Sequence, residues 1–169
     1  MKIGRITVSD RASAGIYEDL SGPEIERLLS ERLGRDHAFL SAVIPDEQSL
    51  IAQTLSRFAD NERCSLIVTT GGTGVTPRDV TPEATREILE KELPGFAEAM
   101  RMGNFARVPT SILSRATAGT RGRSLIINLP GKPKAIAECL DVLLPAIREA
   151  IAHLQGLDPH ATEPVANSK

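Results

Sequence analysis

Two short runs constrain this chain most: SLIVT at 65–69 and SLIIN at 124–128. Each carries aliphatic residues on consecutive positions, without the apolar–polar alternation of a strand that keeps one face in water. A strand of this kind is covered on both faces, which is the situation inside a parallel sheet flanked by helices. The rest of the chain supplies those helices. Residues 3–8 (IGRITV) and 38–44 read as two further strands. Between them SGP at 21–23 opens a helix, with Ser21 as the capping hydroxyl and Pro23 in the first turn. Ile25, Leu28, Leu29 and Leu33 then form one stripe, and Gly34 ends it.

After Pro45 a helix presents Leu50, Ile51, Leu55 and Phe58 to the core, and TPE at 81–83 opens another. Residues 96–105 read as helix and 115–120 as a short strand. A final helix carries Ile136, Cys139, Leu140, Leu143, Leu144, Ile147 and Ile151 on one face. Pro145 has no amide to donate and crowds the carbonyl four residues back, so a kink or restart is expected there. Strands alternating with helices predict an α/β fold with a parallel, doubly wound sheet. Residues 1–156 form one domain in this reading, and the polar segment 157–169, with two prolines, is expected to be a flexible tail.

Charge narrows the partners. The chain has 20 basic and 22 acidic side chains, a net charge of −2, which argues against nucleic acid or an anionic membrane as ligand. No apolar run approaches the ~20 residues that span a bilayer. The amino terminus starts directly as a strand, and the isolated Cys64 and Cys139 read as buried thiols of a reducing compartment, so a cytoplasmic location is expected. His37, His153 and His160 lack zinc-ligand spacing.

Ligands of such sheets bind at the carboxyl ends of the strands. Ser9 and Asp10, Asp46, residues 71–79 and residues 128–132 all follow predicted strands and should gather there. The stretch TTGGTGVTPRDVTPEAT (69–85) is the densest of these. Gly71, Gly72, Thr73 and Gly74 form either a tight strand-to-helix connection or a cradle whose amides face an anion. No GK[ST] follows, and Pro77 breaks the dinucleotide pattern. Between Arg101 and Lys134 lie Arg107, Arg115, Arg121, Arg123 and Lys132 with no acid among them, either a solvated surface or a phosphate-binding set. Lys132, in PGKP before a helix, is the best placed for an anion. Asp46 is a helix N-cap or a ligand; Asp79 pairs with Arg78, caps a turn or is a ligand. Two carboxylates beside a phosphate cradle suit Mg²⁺ and phosphoryl or nucleotidyl transfer. With no His or Cys in these loops, the nucleophile is expected to be already ionised, as a phosphate monoester with its second pKa of about 6 is.

The motifs TVSDRASAGIYEDLSG, IPDEQ, TTGGTGVTPRDVTPEAT, PTSILSRATAGTRG and LIINLPGKPKAIAECL together resemble the molybdopterin adenylyltransferases of molybdenum cofactor synthesis, a family whose fold the gephyrin G domain shares. The likeness runs from about residue 3 to 154. It implies a three-layer α/β sandwich with a mostly parallel central sheet, of the molybdenum cofactor-binding type, usually trimeric. It implies transfer of AMP from ATP to molybdopterin with Mg²⁺, release of pyrophosphate, and hand-over of the product to a molybdate-inserting ligase. Asp46 and Asp79 match the acids of Mg²⁺-dependent catalysis. The loop Gly71, Gly72, Thr73, Gly74 and the turn Pro130–Gly131 match the nucleotide-holding elements, with Asn128 and Lys132 beside that turn. Ser9, Asp10 and Ser114 match positions of the nucleotide or pterin pocket. The alternatives are a molybdopterin-binding carrier without chemistry and a scaffold.

Overall fold

The computed structural model of the protein describes residues 1–34 and 36–157, so beyond residue 157 the expected tail lies outside the described residues, as does His160. Six strands make one sheet in the order β2-β1-β3-β6-β5-β4: β1 (Lys2–Val8), β2 (Ala38–Ile44), β3 (Leu66–Thr70), β4 (Lys91–Glu92), β5 (Ala118–Arg121) and β6 (Ser124–Leu129). The strands β1, β2, β3 and β6 are parallel to one another. β5 runs antiparallel to β6, as does β4 to β5, so the sheet is mostly rather than wholly parallel. The strand expected at 115–120 begins later, at Ala118, because Arg115 is drawn into the loop after β3.

Helices cover both faces, α1 (Asp10–Ser13) excepted. α2 (Ser21–Leu33), α5 (Pro94–Phe105) and α6 (Pro133–Gln155) pack on Ile3, Leu66, Val68, Leu125 and Ile127. α3 (Gln48–Ser56), the π-helical turn Arg57–Asn61 and α4 (Thr81–Ile88) pack on Ile6, Val8, Ile67 and Ile126. The consecutive aliphatic residues of β3 and β6 thus alternate between two dry layers, and each fully buried Ile or Leu contributes about 1.5–3 kcal/mol. The three-layer sandwich is the consequence.

α6 is continuous through Pro145 and does not restart. Pro145 and Asp141, whose carbonyl loses its helical donor, both sit on the outer side of the helix, where water can serve that carbonyl, while Leu143 and Ile147 stay buried. α2 is also capped differently from expectation. Its N-cap position is Leu20, and the Asp19 carboxylate accepts from the Ser21 and Gly22 amides at 3.1 and 2.9 Å. The Ser21 hydroxyl turns away and donates to the Gly131 carbonyl at 2.7 Å.

The register brings the carboxyl ends of four strands level. Val8 pairs with Ile44, Thr7 with Thr70, and Thr70 with Leu129. Loops 9–10, 45–47, 71–80 and 130–132 therefore leave from one edge.

Candidate active site

The loop after β3 is fixed by its carbonyls. Thr81 Oγ1 donates to Gly71 O at 3.0 Å and the Thr81 amide to Gly72 O at 3.1 Å. The Arg115 amide donates to Thr73 O at 3.0 Å and its Nε to Gly74 O at 2.6 Å. Gly71 has φ +95° and Gly72 φ +62°, a region L-residues rarely adopt. A Cβ on Gly71 would lie 2.2 Å from the Val8 carbonyl oxygen. The glycines are thus required by backbone conformation and by the close approach of β1.

Asp46 and Asp79 stand at the two ends of this loop. A Cβ on Gly72 would come within 3.0 Å of Asp46 Oδ1, and one on Gly74 within 2.9 Å of Asp79 Oδ2. Asp46 is tied to Asp10 by a reciprocal pair: the Asp10 amide donates to Asp46 Oδ2 at 2.9 Å, and the Asp46 amide to Asp10 Oδ1 at 3.0 Å. Arg78 clasps the same Asp10 carboxylate through Nε and Nη2 at 3.0 and 2.7 Å. Asp10 is therefore a brace joining the ends of β1 and β2 to the loop after β3. Asp79 accepts from the Thr76 amide and hydroxyl at 2.8 and 2.6 Å, which folds 76–79 into a tight turn.

These contacts divide the acids electrostatically. Burial, with Asp10 and Asp79 as negative neighbours, pushes Asp46 above the ordinary aspartate range, against the Asp10 amide and Arg78. Asp10 is held below that range by hydrogen bonds from Arg78 and from the Asp46 amide. At Asp79 burial is the largest influence and acts upward, but the Thr76 and Gly74 hydrogen bonds and the Arg115 charge outweigh it, leaving the carboxyl below its usual value. Bringing a cation to Asp46 would relieve the repulsion there.

Two cavities meet at Gly131. The smaller, about 230 Å³, is lined by Ser9, Tyr17, Asp19, Asp46, Gly71 and Gly72 among others. The larger, about 430 Å³, extends from Thr73 and Gly74 between α5 and α6, with Ser114, Pro130 and Lys132 in its wall. Gly131 lines both. Thr70 Oγ1 and Ser21 Oγ hold the Pro130 and Gly131 carbonyls, so the partition is anchored from β3 and α2. Of the residues expected in the site, all but Asn128 lie at this edge. Asn128 is fully buried; its amide donates to Thr69 and Thr85 hydroxyls and its oxygen accepts from the Thr117 amide. It braces β3, β6 and α4, a correction to its place among ligand-binding residues.

Three residues of the basic set have partners within the chain. Arg115 pairs with Glu83 and donates to the Asp79 carbonyl. Arg121 pairs with Asp60, and Arg123 holds the carbonyls ending α6. Arg101 and Lys132 remain on the larger cavity. Sequence reasoning missed Asp19, Thr81 and the bracing role of Arg115. The Asp-x-Ser-Gly spacing before the α2 proline was a cap signal for Asp19; Arg115 carried none.

Among the described residues no group of three or more His, Cys, Asp or Glu side chains could enclose a metal ion. Mg²⁺ asks less, since one or two carboxylates suffice when phosphate oxygens and water complete its shell. Asp46 beside Gly72 and Asp79 beside Gly74 supply two such carboxylates.

Residues 4–149 match a family model described as "Probable molybdopterin binding domain". The chain is 55% identical over 145 residues to a molybdopterin adenylyltransferase of Helicobacter pylori, covering 86% of this chain and 82% of that one. It is 44% identical over 153 residues to the molybdopterin adenylyltransferase of Escherichia coli K12, covering 90% and 78%. Among solved structures, the molybdopterin biosynthesis enzyme MoaB of Thermus thermophilus superposes with a TM-score of 0.84 at 42% identity, covering 92% of this chain and 96% of that one.

Proposed function

The chain belongs to the molybdopterin-binding domain family of molybdenum cofactor biosynthesis, and from that premise we propose that it is a molybdopterin adenylyltransferase. It transfers AMP from ATP to the terminal phosphate of molybdopterin and releases pyrophosphate. The observation that carries the reading is the pair of cavities sharing Gly131, with the carbonyl-braced loop 71–74 running from Asp46 to Asp79 between them.

The chemistry follows from that arrangement. The nucleophile is a phosphate monoester, ionised at neutral pH, so no general base is required, and the carboxylates of these loops are left to hold a cation. The difficulty is bringing two anions together. Mg²⁺ held by Asp46 and Asp79 would supply positive charge between the two sets of phosphate oxygens. Loop 71–74 turns its carbonyls to Thr81 and Arg115 and its Gly74 amide to Asp79, which leaves Gly71, Gly72 and Thr73 as the amides for the same oxygens, and Lys132 at the start of α6 adds a cation. Gly131, without a side chain, lets the two phosphates approach across the partition, and holding both substrates in place provides the remaining acceleration. Incubating the purified protein with ATP, Mg²⁺ and molybdopterin should yield pyrophosphate and adenylylated molybdopterin by mass spectrometry. Molybdopterin binding without that adduct would make the protein a carrier.

The same reading includes a homotrimer, a cytoplasmic location and delivery of the product to a molybdate-inserting ligase. Met102 and Ile112 are each more than half exposed and line neither cavity, which supports their burial between copies. Sedimentation equilibrium should give three times the chain mass, and a monomer would remove that part. Among the described residues no helix is long and apolar enough to cross a membrane, and the two cysteines are free and buried.

A further inference from the structure

We infer that Glu138 is the specificity-determining residue for the pterin, reading its 2-amino-4-oxo edge and so assigning that ring to the larger cavity. The inference rests on the activity proposed above and names which cavity serves which heterocycle.

The larger cavity, about 430 Å³, lies within the ~300–1,000 Å³ range of small-molecule sites. Val75, Met100, Leu113 and Cys139 give it apolar walls suited to a flat heterocycle. Among the described residues that line it, Glu138 is the one carboxylate. Its side chain is 16% exposed and sits in the second turn of α6. Arg107 Nη1 approaches Oε1 only to 3.8 Å, and Arg107 Nη2 donates to Asn104 Oδ1 at 3.1 Å. The Arg107 side chain is 61% exposed, so the pair is a loose, solvent-facing one. The carboxylate therefore keeps its acceptor capacity for a ligand.

The ligand chemistry is selective. A pterin presents N3–H and the 2-amino group side by side, two parallel donors that match two carboxylate oxygens as a guanidinium does. Adenine presents one amino donor beside the N1 acceptor, whose lone pair would face the second oxygen. A nearly buried carboxylate left against that lone pair is penalised, which is how a hydrogen-bonding site rejects an analogue lacking the donor. At its other end the cavity reaches Thr73, Gly74, Gly131 and Lys132. A pterin anchored at Glu138 thus points its phosphate toward the loop between Asp46 and Asp79. The smaller cavity is left to the nucleotide.

The test is fluorescence titration with 6-hydroxymethylpterin and with 6-hydroxymethyllumazine, which carries oxygen in place of the 2-amino group. The wild type should prefer the pterin by about tenfold or more, the size of one to two charge-assisted hydrogen bonds. Glu138→Gln should weaken pterin binding by about tenfold and leave lumazine within about twofold. Arg107→Ala, which removes the loose pair and keeps the carboxylate, should retain the preference. In turnover, Glu138→Gln should raise KM for molybdopterin and leave KM for ATP unchanged. A wild type without pterin preference, a Glu138→Gln variant that keeps it, or an Arg107→Ala variant that loses it overturns the assignment. If the wild type forms the adenylylated product while Glu138→Gln binds both probes like the wild type, the assignment fails and the activity stands. If the wild type forms no product yet shows a Glu138-dependent pterin preference, the activity fails and the assignment stands.

Discussion

Replacing Asp19 tests how the partition between the cavities is held. Its side chain is 13% exposed and makes four contacts. Oδ1 accepts the Ser21 and Gly22 amides that begin α2, and Oδ2 accepts from Arg5 Nη1 and the Thr7 hydroxyl, both at 2.8 Å. Asp19→Ala removes a helix cap, about 1 kcal/mol, and leaves the mostly buried Arg5 with Glu26 as its remaining acid. Losing a charged acceptor from a mostly buried pair costs about 3–5 kcal/mol. Not all of this adds, because Arg5 keeps its 2.7 Å bond to Glu26, so the expected total is about 3–5 kcal/mol. Asp19→Asn keeps one acceptor for the two amides and should cost about 1–3 kcal/mol. Urea unfolding reads this directly: with m about 2 kcal/mol/M, inside the usual range of about 1–3, the alanine variant should lose roughly 1.5–2.5 M in midpoint at unchanged slope. A loss under about 0.5 kcal/mol for Asp19→Ala would refute the claim that this carboxylate organises the start of α2. Ser21, which it orients, would then have no fixed reason to reach Gly131.

Three other perturbations separate structural from chemical roles. Asp79→Asn should lower kcat for adenylyl transfer by about a hundredfold while leaving molybdopterin affinity within about threefold, measured by steady-state kinetics beside equilibrium binding. Gly71→Ala should destabilise by about 3 kcal/mol or more, from its positive φ and the Val8 carbonyl in the way; Gly131→Ala, whose Cβ would meet nothing closer than 3.6 Å, should fold normally yet lose activity by narrowing the passage, as thermal melts and turnover would report. Burial pushes the Cys64 and Cys139 thiols up to about 11 from 9.0. Their raised folded values mean stability is fully present below pH 9 and falls as pH rises toward 11, and iodoacetamide at pH 8 should label the native protein far more slowly than the urea-unfolded chain.

Much of this was legible because the residues concerned answer to local rules. β3 and β6 declare themselves by runs of three consecutive aliphatic residues, 66–68 and 125–127, that leave no alternate face for water, and four strand ends then bring Ser9, Asp46, Gly71 and Gly131 to one edge. The direction of β5 was not legible, since a four-residue strand beside Gly122 carries no periodic signal. Ser21 and Asp19 are both capping types two residues apart, and only the position of Arg5 decides which one caps. Asn128 follows the β3-like pattern into the α4-facing layer, so its amide meets Thr69 and Thr85 instead of the cavity. The arginines of 101–134 look like one basic segment in sequence; in space Arg115, Arg121 and Arg123 point to three different partners, Glu83, Asp60 and the end of α6. Pairing between residues 31 to 61 apart is what a linear reading cannot supply.

The most direct test of the two-cavity account is a crystal structure with adenylylated molybdopterin bound. The account predicts the adenine in the cavity beside Ser9 and Tyr17, the pterin between α5 and α6, and the linking phosphates over loop 71–74, within reach of both Asp46 and Asp79. Both rings in one cavity, or phosphates that approach neither aspartate, would contradict it.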